Sequence, residues 1–181
     1  FDVSISRGKN RDLDRYSSGS ANIRLNNETR KYDPLYSGSP YIGNIIPRRE
    51  IRIITDNYVQ FTGIIDDWNF NYDPSGKSVA EIVASDAFSL LARQELTAGT
   101  AIEELSGARV EAVLDMETVN WPSENRDIDT GIATLGTGIF EGNALDYLTK
   151  VETSEQGALF IGRDGRFKFF DRSVYPTSDN L

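Results

Sequence analysis

The sequence contains neither cysteine nor histidine. The absence of cysteine excludes a disulfide scaffold and thiolate chemistry. The absence of histidine excludes Ser-His and Cys-His nucleophilic sites, histidine-based metal sites and switching by histidine titration. An enzyme built on this chain would therefore have to work with carboxylates, Lys, Arg or Tyr side chains.

Long apolar runs and excess positive charge are missing as well. No segment approaches the length of a membrane span and no signal peptide is visible, so we predict no membrane segment. The net charge of −9 argues against a general nucleic-acid-binding surface. The apolar fraction of 39% is enough for one large or two small cores. Because the first residue is Phe rather than Met, we expect the chain to be a piece of a longer polypeptide.

The stretch from Tyr58 to Tyr72 is rich in aromatic and β-branched residues and has no helical period, so it predicts a β-strand. Its apolar residues occupy odd positions up to Ile65 and even positions from Trp68 onward. Side chains alternate strictly along a flat strand, so the change of parity predicts one extra residue, a β-bulge, near Asp66-Asp67. Gly63 is a second candidate for a bend.

Turn signals on both sides of this strand predict a three-stranded meander over residues 49–85. Asp56-Asn57 suits a two-residue hairpin turn, because both residues tolerate positive φ. Asp73-Pro-Ser-Gly76 has the signature of a type I turn. Short alternating patterns around Val3 and from Ala21 to Leu25 predict two further strands. We therefore predict a β-domain, a small barrel or corner-turning sheet, over residues 1–97.

The second half, residues 98–181, changes character and predicts an α+β domain that continues beyond the chain. Ser106 and Asn143 are candidate N-caps of two helices, and Gly157 suits a helix C-terminus. Asp164-Gly165 stands between two apolar runs and predicts a type I′ β-hairpin.

Candidate catalytic and metal-binding residues do not form a convergent site. Asp66 and Asp67 are adjacent in a strand and should point to opposite faces. Asp127-x-Asp-x-Gly131 resembles the start of a calcium loop but lacks the remaining ligands. The pairs Glu103-Glu104 and Glu152/Glu155 are interpreted as solvated faces. We therefore predict no enzyme activity, no cofactor and no metal.

The segment from Asn27 to Pro47 contains prolines, glycines and tyrosines but no regular period. A loop of this length is usually functional, and its tyrosines favour an ordered loop that packs on something. One hypothesis is a contact with a neighbouring subunit, and the alternative is that the loop lies across its own barrel. The predicted interface residues are Tyr32, Asp33, Pro34, Tyr36, Pro40, Tyr41, Arg48 and Arg49.

The order of short motifs along the chain resembles the minor tail proteins that form the baseplate hub at the tip of long-tailed bacteriophages. The motifs are Ser20-Ala-Asn-Ile-Arg-Leu-Asn-Asn27, Tyr32-Asp-Pro-Leu35, Ser39-Pro-Tyr41, Phe61-Thr-Gly63, Asp67-Trp68, Ala84-Ser-Asp-Ala87, Arg109-Val110, Trp121-Pro122, Arg126-Asp-Ile-Asp-Thr-Gly131 and Gly142-Asn-Ala-Leu145. The resemblance spans nearly the whole chain. It implies an α+β, β-dominated fold with an N-terminal tail-tube-like β-barrel followed by a smaller α+β domain.

The resemblance also implies a function. A baseplate hub is a structural virion component at the tail tip, and it ends the tail tube and takes part in host attachment and DNA delivery. Its expected partners are further copies in a homotrimer, distal tail and other tail-tip proteins and a tape-measure protein, with DNA only passing through the lumen. An acidic lumen would let DNA slide past, because like charges repel. The alternative is a distal tail adaptor or a carbohydrate-binding receptor module of the same tail tip.

Overall fold

A computed structural model describes residues 1–8 and 16–174 and divides the chain into two compact units. Unit 1 comprises Phe1–Arg7 and Gly19–Asp86, and unit 2 comprises Gly8–Ser18 and Ala87–Leu181. The division falls before the first helix, whereas the sequence analysis puts the boundary after residue 97. Within the described residues, no helix combines the length and apolarity that a membrane span requires.

Unit 1 is built on one five-stranded antiparallel sheet. The strands are β1 (Asp2–Gly8), β2 (Ser17–Asn26), β3 (Glu50–Thr55), β4 (Tyr58–Asn71) and β5 (Val79–Ser85). Their order in the sheet is β1-β2-β5-β4-β3, so β3, β4 and β5 form the predicted meander and β2 and β1 extend it. The number of strands and the meander are confirmed.

The long strand β4 contains the predicted bulge. In its pairing with β5, Ile65 lies opposite Ala84 and Asp67 lies opposite Val83, which leaves Asp66 as the extra residue. Because of this residue, Ile65 and Trp68 face the same side of the sheet despite their different parity. The parity change in the sequence is therefore compensated by the bulge, and one face of β4 points inward from Phe61 to Trp68.

Gly63 pairs regularly with Ile51, and the bend expected at Gly63 stays a prediction. The second irregularity leaves Gln60 unpaired between Phe61 and Val59 in the pairing of β4 with β3. A Cβ atom on Gly63 would collide with the carbonyl oxygen of Ser85 and with the ring of Phe61. Glycine is therefore needed at position 63 for close approach rather than for backbone flexibility.

The sheet of unit 1 is curled. Val3 and Ile5 of β1, one edge strand, and Ile51 and Ile53 of β3, the other edge strand, pack against the same two buried clusters. Edge strands can share a core only if the sheet bends over it. Within the described residues no hydrogen-bonded pairing joins β1 to β3, so the sheet is a curled half-barrel. Closure into a barrel would need strands from another segment or subunit.

Both predicted turns of the meander are present. Asp56 and Asn57 have φ angles of 52° and 67°, as a two-residue turn with both central residues at positive φ requires. In the second turn, the Gly76 N–H donates to the Asp73 carbonyl at 2.9 Å, which closes the type I turn. Strand β2 begins at Ser17, four residues before the alternating pattern that starts at Ala21.

Two single-residue deletions test the bulge. Deletion of Asp66 should leave Trp68 and Phe70 on the inner face, because the residue removed has no partner on β5. Deletion of Asn69 should turn Phe70 outward and bring Asn71 opposite Ala80. We expect the Asn69 deletion to lower the free energy of unfolding of unit 1 by about 1 kcal/mol more than the Asp66 deletion, because Phe70 is only half-buried. Equal losses in urea denaturation followed by circular dichroism would contradict this assignment of the extra residue.

Unit 2 contains three α-helices and several short strands. Its elements are α1 (Phe88–Leu91), β6 (Gly99–Ala101), β7 (Glu104–Leu105), α2 (Ser106–Leu114), a 3₁₀ turn (Ser123–Asn125), β8 (Arg126–Ile128), β9 (Thr134–Leu135), β10 (Gly138–Phe140), α3 (Ala144–Glu155), β11 (Ala158–Ile161) and β12 (Phe167–Phe170). The strands form three small sheets, β11-β12-β8, β10-β6 and β7-β9. The unit combines helices and strands, as predicted for an α+β domain. It is the larger of the two units because it also takes in Gly8–Ser18 and begins its main part at Ala87.

One of the two predicted helix caps is correct. The Asn143 side chain accepts a hydrogen bond from the Asp146 N–H at 2.8 Å at the start of α3. Ser106 does not cap α2, because it is the first helical residue and its hydroxyl bonds elsewhere. At the end of α3, Gln156 rather than Gly157 adopts the left-handed conformation. Gly157 is needed because a Cβ atom there would collide with the Phe170 carbonyl oxygen.

The predicted C-terminal hairpin is present, but its turn differs. Strands β11 and β12 pair with Ala158 opposite Phe170 and Ile161 opposite Phe167. The Gly165 N–H donates to the Gly162 carbonyl at 2.9 Å, and Gly165 has a φ of 84°. Because only Gly165 lies at positive φ, the turn is a type I turn followed by a left-handed glycine rather than type I′.

Candidate interaction surface

The segment between β2 and β3 is ordered as a chain of consecutive turns. Every third residue from Arg30 to Ile42 donates its N–H to the carbonyl three residues earlier, starting with Arg30 to Asn27 at 2.9 Å. Each turn therefore begins where the previous one ends. The sequence analysis predicts an ordered loop here, and that is confirmed, but it contains no signal for this repeated geometry.

Four residues spaced by six along the loop point inward. Asn27, Asp33, Ser39 and Ile45 are all buried, and the first three are polar. Their side chains organise the local backbone: the Asn27 Oδ1 accepts from the N–H of Tyr32, and the Ser39 hydroxyl donates to the Lys31 carbonyl at 2.6 Å. Buried polar atoms are stable only when bonded in this way. A polar spine therefore holds the loop in one shape.

Asp33 lies at the centre of this spine. Its carboxylate accepts from the Leu35 N–H at 2.8 Å and from two nitrogens of Arg30 at 2.9 and 2.7 Å. The Tyr72 hydroxyl is a further donor. The Leu35 N–H, assisted by Arg30 and Tyr72, lowers the pKa of Asp33 although burial opposes that shift. Burial and the charge of Asp33 in turn raise the pKa of Tyr72.

Aromatic rings and cations cover the outside of the loop. The rings of Tyr32 and Tyr41 stack with centroids 5.6 Å apart and an angle of 3° between planes. The Lys31 ammonium lies 5.5 and 5.4 Å from the two ring centroids, and Arg30 lies 4.9 Å above the ring of Tyr36. Such cation–π contacts stabilise the rings in fixed orientations. The loop therefore presents a preorganised surface.

The loop is also fastened to its own sheet. The Arg48 N–H donates to the Ile65 carbonyl at 2.7 Å, and the Ile65 N–H donates to the Arg49 carbonyl at 2.8 Å. The Trp68 indole N–H donates to the Ile46 carbonyl at 3.3 Å. These contacts favour the alternative in which the loop lies on its own barrel strand. They use only one side of the loop, so the other side stays available to a partner.

Seven of the eight predicted interface residues lie at least partly at the surface. Arg48, Arg49, Tyr36, Pro40 and Tyr41 are exposed. Tyr32 and Pro34 are half-buried, whereas Asp33 is only 1% exposed and serves the loop from inside. Sequence reasoning missed the most exposed apolar side chain of the loop, Leu35, at 88%. An exposed Leu beside tyrosines is typical of a contact surface.

Comparison with solved structures shows which known proteins share this fold. The tail protein from Neisseria meningitidis MC58 matches with a TM-score of 0.65 at 13% identity, over 97% of this chain and 48% of that one. The fold is that of phage tail proteins. The 43 kDa tail protein of prophage MuSo2 from Shewanella oneidensis matches with a TM-score of 0.58 at 12% identity, over 97% of this chain and 54% of that one.

A third match extends the tail-protein fold to a secretion apparatus. The E. coli c3393 protein is a component of the type VI secretion system with structural similarity to the T4 tail proteins gp27 and gp5. It matches with a TM-score of 0.59 at 12% identity, over 89% of this chain and 44% of that one. The chain thus spans about half the length of the proteins whose fold it shares. No protein-family profile and no curated protein sequence matches it.

Three of the aspartates considered for chemistry, Asp67, Asp127 and Asp129, have structural partners in this tail-protein fold. Asp67 accepts the N–H of Trp68 at 2.8 Å, while Asp66 is the bulge residue. Asp129 accepts the Asp171 N–H at 3.1 Å, and Asp127 lies 3.7 Å from the Lys168 ammonium. Within residues 1–8 and 16–174 no three His, Cys, Asp or Glu side chains are grouped as metal ligands.

Glu155, interpreted from the sequence as solvated, is completely buried, so that interpretation was wrong. One carboxylate oxygen accepts from the Ser106 hydroxyl at 2.5 Å and from the N–H groups of Ile132 and Ala133 at 3.0 and 2.8 Å. The other accepts from the Arg172 side chain at 3.2 Å. Ala144, Leu148, Val151 and Glu155 form one buried stripe of α3 at helical spacing, and this spacing is the sequence signal that could have identified Glu155.

Burial alone would raise the pKa of Glu155. The hydrogen bonds from Ser106, Ala133, Ile132 and Arg172 outweigh burial and lower the pKa to about 2. Glu152, also interpreted as solvated, is buried as well and accepts the Leu159 N–H at 3.0 Å. Both carboxylates therefore connect α3 to the segments packed around it.

Arg109 is the second buried charge that organises unit 2. Its guanidinium donates to the Glu104 carboxylate at 2.5 Å, to the Tyr147 hydroxyl at 3.1 Å and to the carbonyls of Ile102 and Gly136 at 2.5 and 3.1 Å. Burial disfavours the charged guanidinium, but these bonds raise the pKa of Arg109 overall. Glu104 is therefore an ion-pair partner and was wrongly interpreted as solvated, whereas Glu103 is exposed as predicted.

Proposed function

We propose that this chain is a structural segment of a phage tail or a related contractile apparatus. The observation that carries the proposal is the match of 97% of the chain to the Neisseria tail protein at a TM-score of 0.65. The half-barrel, the buried structural carboxylates and the preorganised loop agree with a scaffold role. No enzymatic step is proposed, since most of the carboxylates considered as candidates are bonded within the fold.

Within the tail we propose the tip, where the chain contributes to a trimeric baseplate hub. A curled sheet with two free edges is an incomplete barrel, and neighbouring subunits or a further barrel of the same polypeptide would complete a ring. The expected contacts are with distal tail and other tail-tip proteins and with the tape-measure protein. DNA would pass through the ring without being held, because the protein carries a net charge of −9.

The symmetry of the assembly tests this proposal. The longest natural polypeptide that contains this chain should form a ring of three copies in native mass spectrometry and in averaged particle images. A ring of six would favour the distal tail adaptor instead. A monomer at all accessible concentrations would contradict both, and a change of Trp fluorescence on adding sugars would favour a carbohydrate-binding module.

A further inference from the structure

The exposed side of the long loop forms a basic and apolar surface. We define the loop surface by Lys31, Leu35, Tyr41, Ile42, Arg48 and Arg49, all of which are exposed. Residues 27–49 contain four Lys or Arg and only two acidic residues, one of which is the buried Asp33. In a chain with a net charge of −9, this segment is locally positive.

A second exposed patch with the opposite charge lies in unit 2. Strand β10 pairs with β6 so that Ile139 lies opposite Thr100, two residues before Ile102. Ile139 therefore lies in the ribbon of β6 and β10, and Ile102 directly follows the end of β6 at Ala101. Both are 67% exposed. Glu103 directly follows Ile102, and Glu141 follows Ile139 by two residues. Both glutamates are exposed, and we call these four residues the acidic ribbon.

The acidic ribbon is attached to the core of unit 2 through its buried neighbours. Ala101 and Phe140, which alternate with the exposed isoleucines, are buried in the core of unit 2. The Arg109 guanidinium binds the carbonyl of Ile102 and lies 5.9 Å from the centroid of the Phe140 ring. The exposed side chains of Ile102 and Ile139 therefore lie next to residues that are packed in the core of unit 2. Exposed apolar groups on a rigid support are typical of a contact surface.

We propose that the loop surface of one copy docks on the acidic ribbon of a second copy of this chain. The proposal rests on the ring assembly proposed above and names the two surfaces that join its subunits. Each patch combines exposed apolar side chains with charges of one sign, and the two signs are opposite. The apolar groups supply buried area, while the charges select the partner and fix its orientation.

The two surfaces lie on different parts of the chain, so the contact joins unlike patches. An interface of this kind leaves one free loop surface and one free acidic ribbon on every pair of copies. It therefore propagates, into a closed ring where the rotation between copies allows closure, whereas a contact between like patches stops at a dimer. The same chain supplies both surfaces, which agrees with a second copy as the occupant.

Charge reversal and its compensation test the pairing in the longest natural polypeptide that contains the chain. We expect Arg48→Glu with Arg49→Glu to weaken self-association at least tenfold by analytical ultracentrifugation. Glu103→Lys with Glu141→Lys should do the same. All four substitutions in one chain should restore association to within about threefold of the wild type, because the signs are then exchanged on both surfaces.

Matched controls distinguish the loss of a specific contact from the effect of a changed net charge. Lys77→Glu with Arg93→Glu changes the net charge by the same amount as the loop variant at exposed positions outside both surfaces. Glu117→Lys with Glu124→Lys, also at exposed positions outside both surfaces, changes the net charge by the same amount as the ribbon variant. Both controls should associate like the wild type, and circular dichroism should be unchanged throughout. Restored association of the fourfold variant also demonstrates that its surfaces are folded.

The outcomes distinguish this proposal from the one on which it rests. If the wild type forms rings and either reversed variant forms them equally well, the pairing of these surfaces is wrong while the hub function stands. Failure of the fourfold variant to recover also overturns the pairing. A wild type that stays monomeric overturns both proposals together.

Discussion

Replacing Glu155 with Gln should lower the free energy of unfolding of unit 2 by about 3 kcal/mol. The carboxylate is fully buried and accepts hydrogen bonds from Ser106, Ile132, Ala133 and Arg172. A Gln amide keeps the shape but turns one acceptor into a donor that faces other donors. The expected loss follows from the lowering of the pKa from 4.5 to about 2, since one pKa unit corresponds to about 1.4 kcal/mol.

The same group makes stability depend on pH in a defined direction. The folded pKa of Glu155 lies below its ordinary value of 4.5, so its contribution is complete above that pH. The contribution should fall as the pH drops from about 4.5 toward 2, because the unfolded chain takes up the proton first. In the Glu155→Gln variant, this part of the pH dependence should be missing, although Asp33, whose pKa is also lowered, still contributes.

Urea denaturation can assign this loss to unit 2. Trp121 belongs to unit 2 and packs edge-on against Phe167 with ring centroids 5.8 Å apart, so its fluorescence in a Trp68→Phe background reports that unit. Glu117→Gln, at an exposed position, is the matched control and should change the free energy by less than about 0.5 kcal/mol. Similar stabilities for the Glu155 and Glu117 variants would contradict the assigned role.

The β-unit could be predicted from the sequence because its rules are local. The parity change between Ile65 and Trp68 requires an extra residue, and the structure has that residue at Asp66. Asp56-Asn57 and the turn at Gly76 follow from the φ angles that these residues tolerate. At Gly63 the structure shows a close approach to Ser85 and Phe61, which no local pattern in the sequence reveals.

The buried charges of unit 2 could be predicted only in part. The bonding partners of Glu155 range from Ser106 to Arg172, so no local pattern reveals that they meet. The same holds for Arg109, whose partners extend from Ile102 to Tyr147. Position 155 does continue the apolar stripe of α3, but a Glu at the end of a helix usually faces solvent. The tertiary contacts of Glu155 therefore bury a side chain that its position near the helix end would leave in solvent.

The sequence predicts where the candidate interaction surface lies in the chain, but not the conformation of its backbone. Composition identifies a long, tyrosine-containing loop. The spacing by six of Asn27, Asp33, Ser39 and Ile45 matches neither a helix nor a strand, so periodicity analysis does not detect it. As a consequence, Asp33 was expected at the interface, although its side chain is buried and accepts hydrogen bonds from Leu35 and Arg30 within the loop. The exposed residues of the loop depend on Asp33 for their arrangement.

Replacing Asp33 with Ala should therefore disorder the loop while leaving the sheet folded. The substitution removes the acceptor of the Leu35 N–H, the partner of Arg30 and the acceptor of the Tyr72 hydroxyl. We expect a loss of about 2 kcal/mol in unit 1, since a buried acceptor is lost but Arg30 is half exposed and can return to water. Amide hydrogen exchange at Leu35 and at Tyr36 should speed up at least tenfold.

Asp33→Asn is the graded control, because its amide oxygen can still accept the Leu35 N–H but no longer carries the charge that holds Arg30. It should fall between wild type and Asp33→Ala in both the free energy of unfolding and the exchange rates. Unit 1 can be followed through Trp68 in a Trp121→Phe background, since Trp68 packs against its core. If Asp33→Ala left exchange in the loop unchanged, the polar spine would not be what orders it. If exchange rises as expected, self-association should weaken too, because a disordered loop must be ordered again before it can dock.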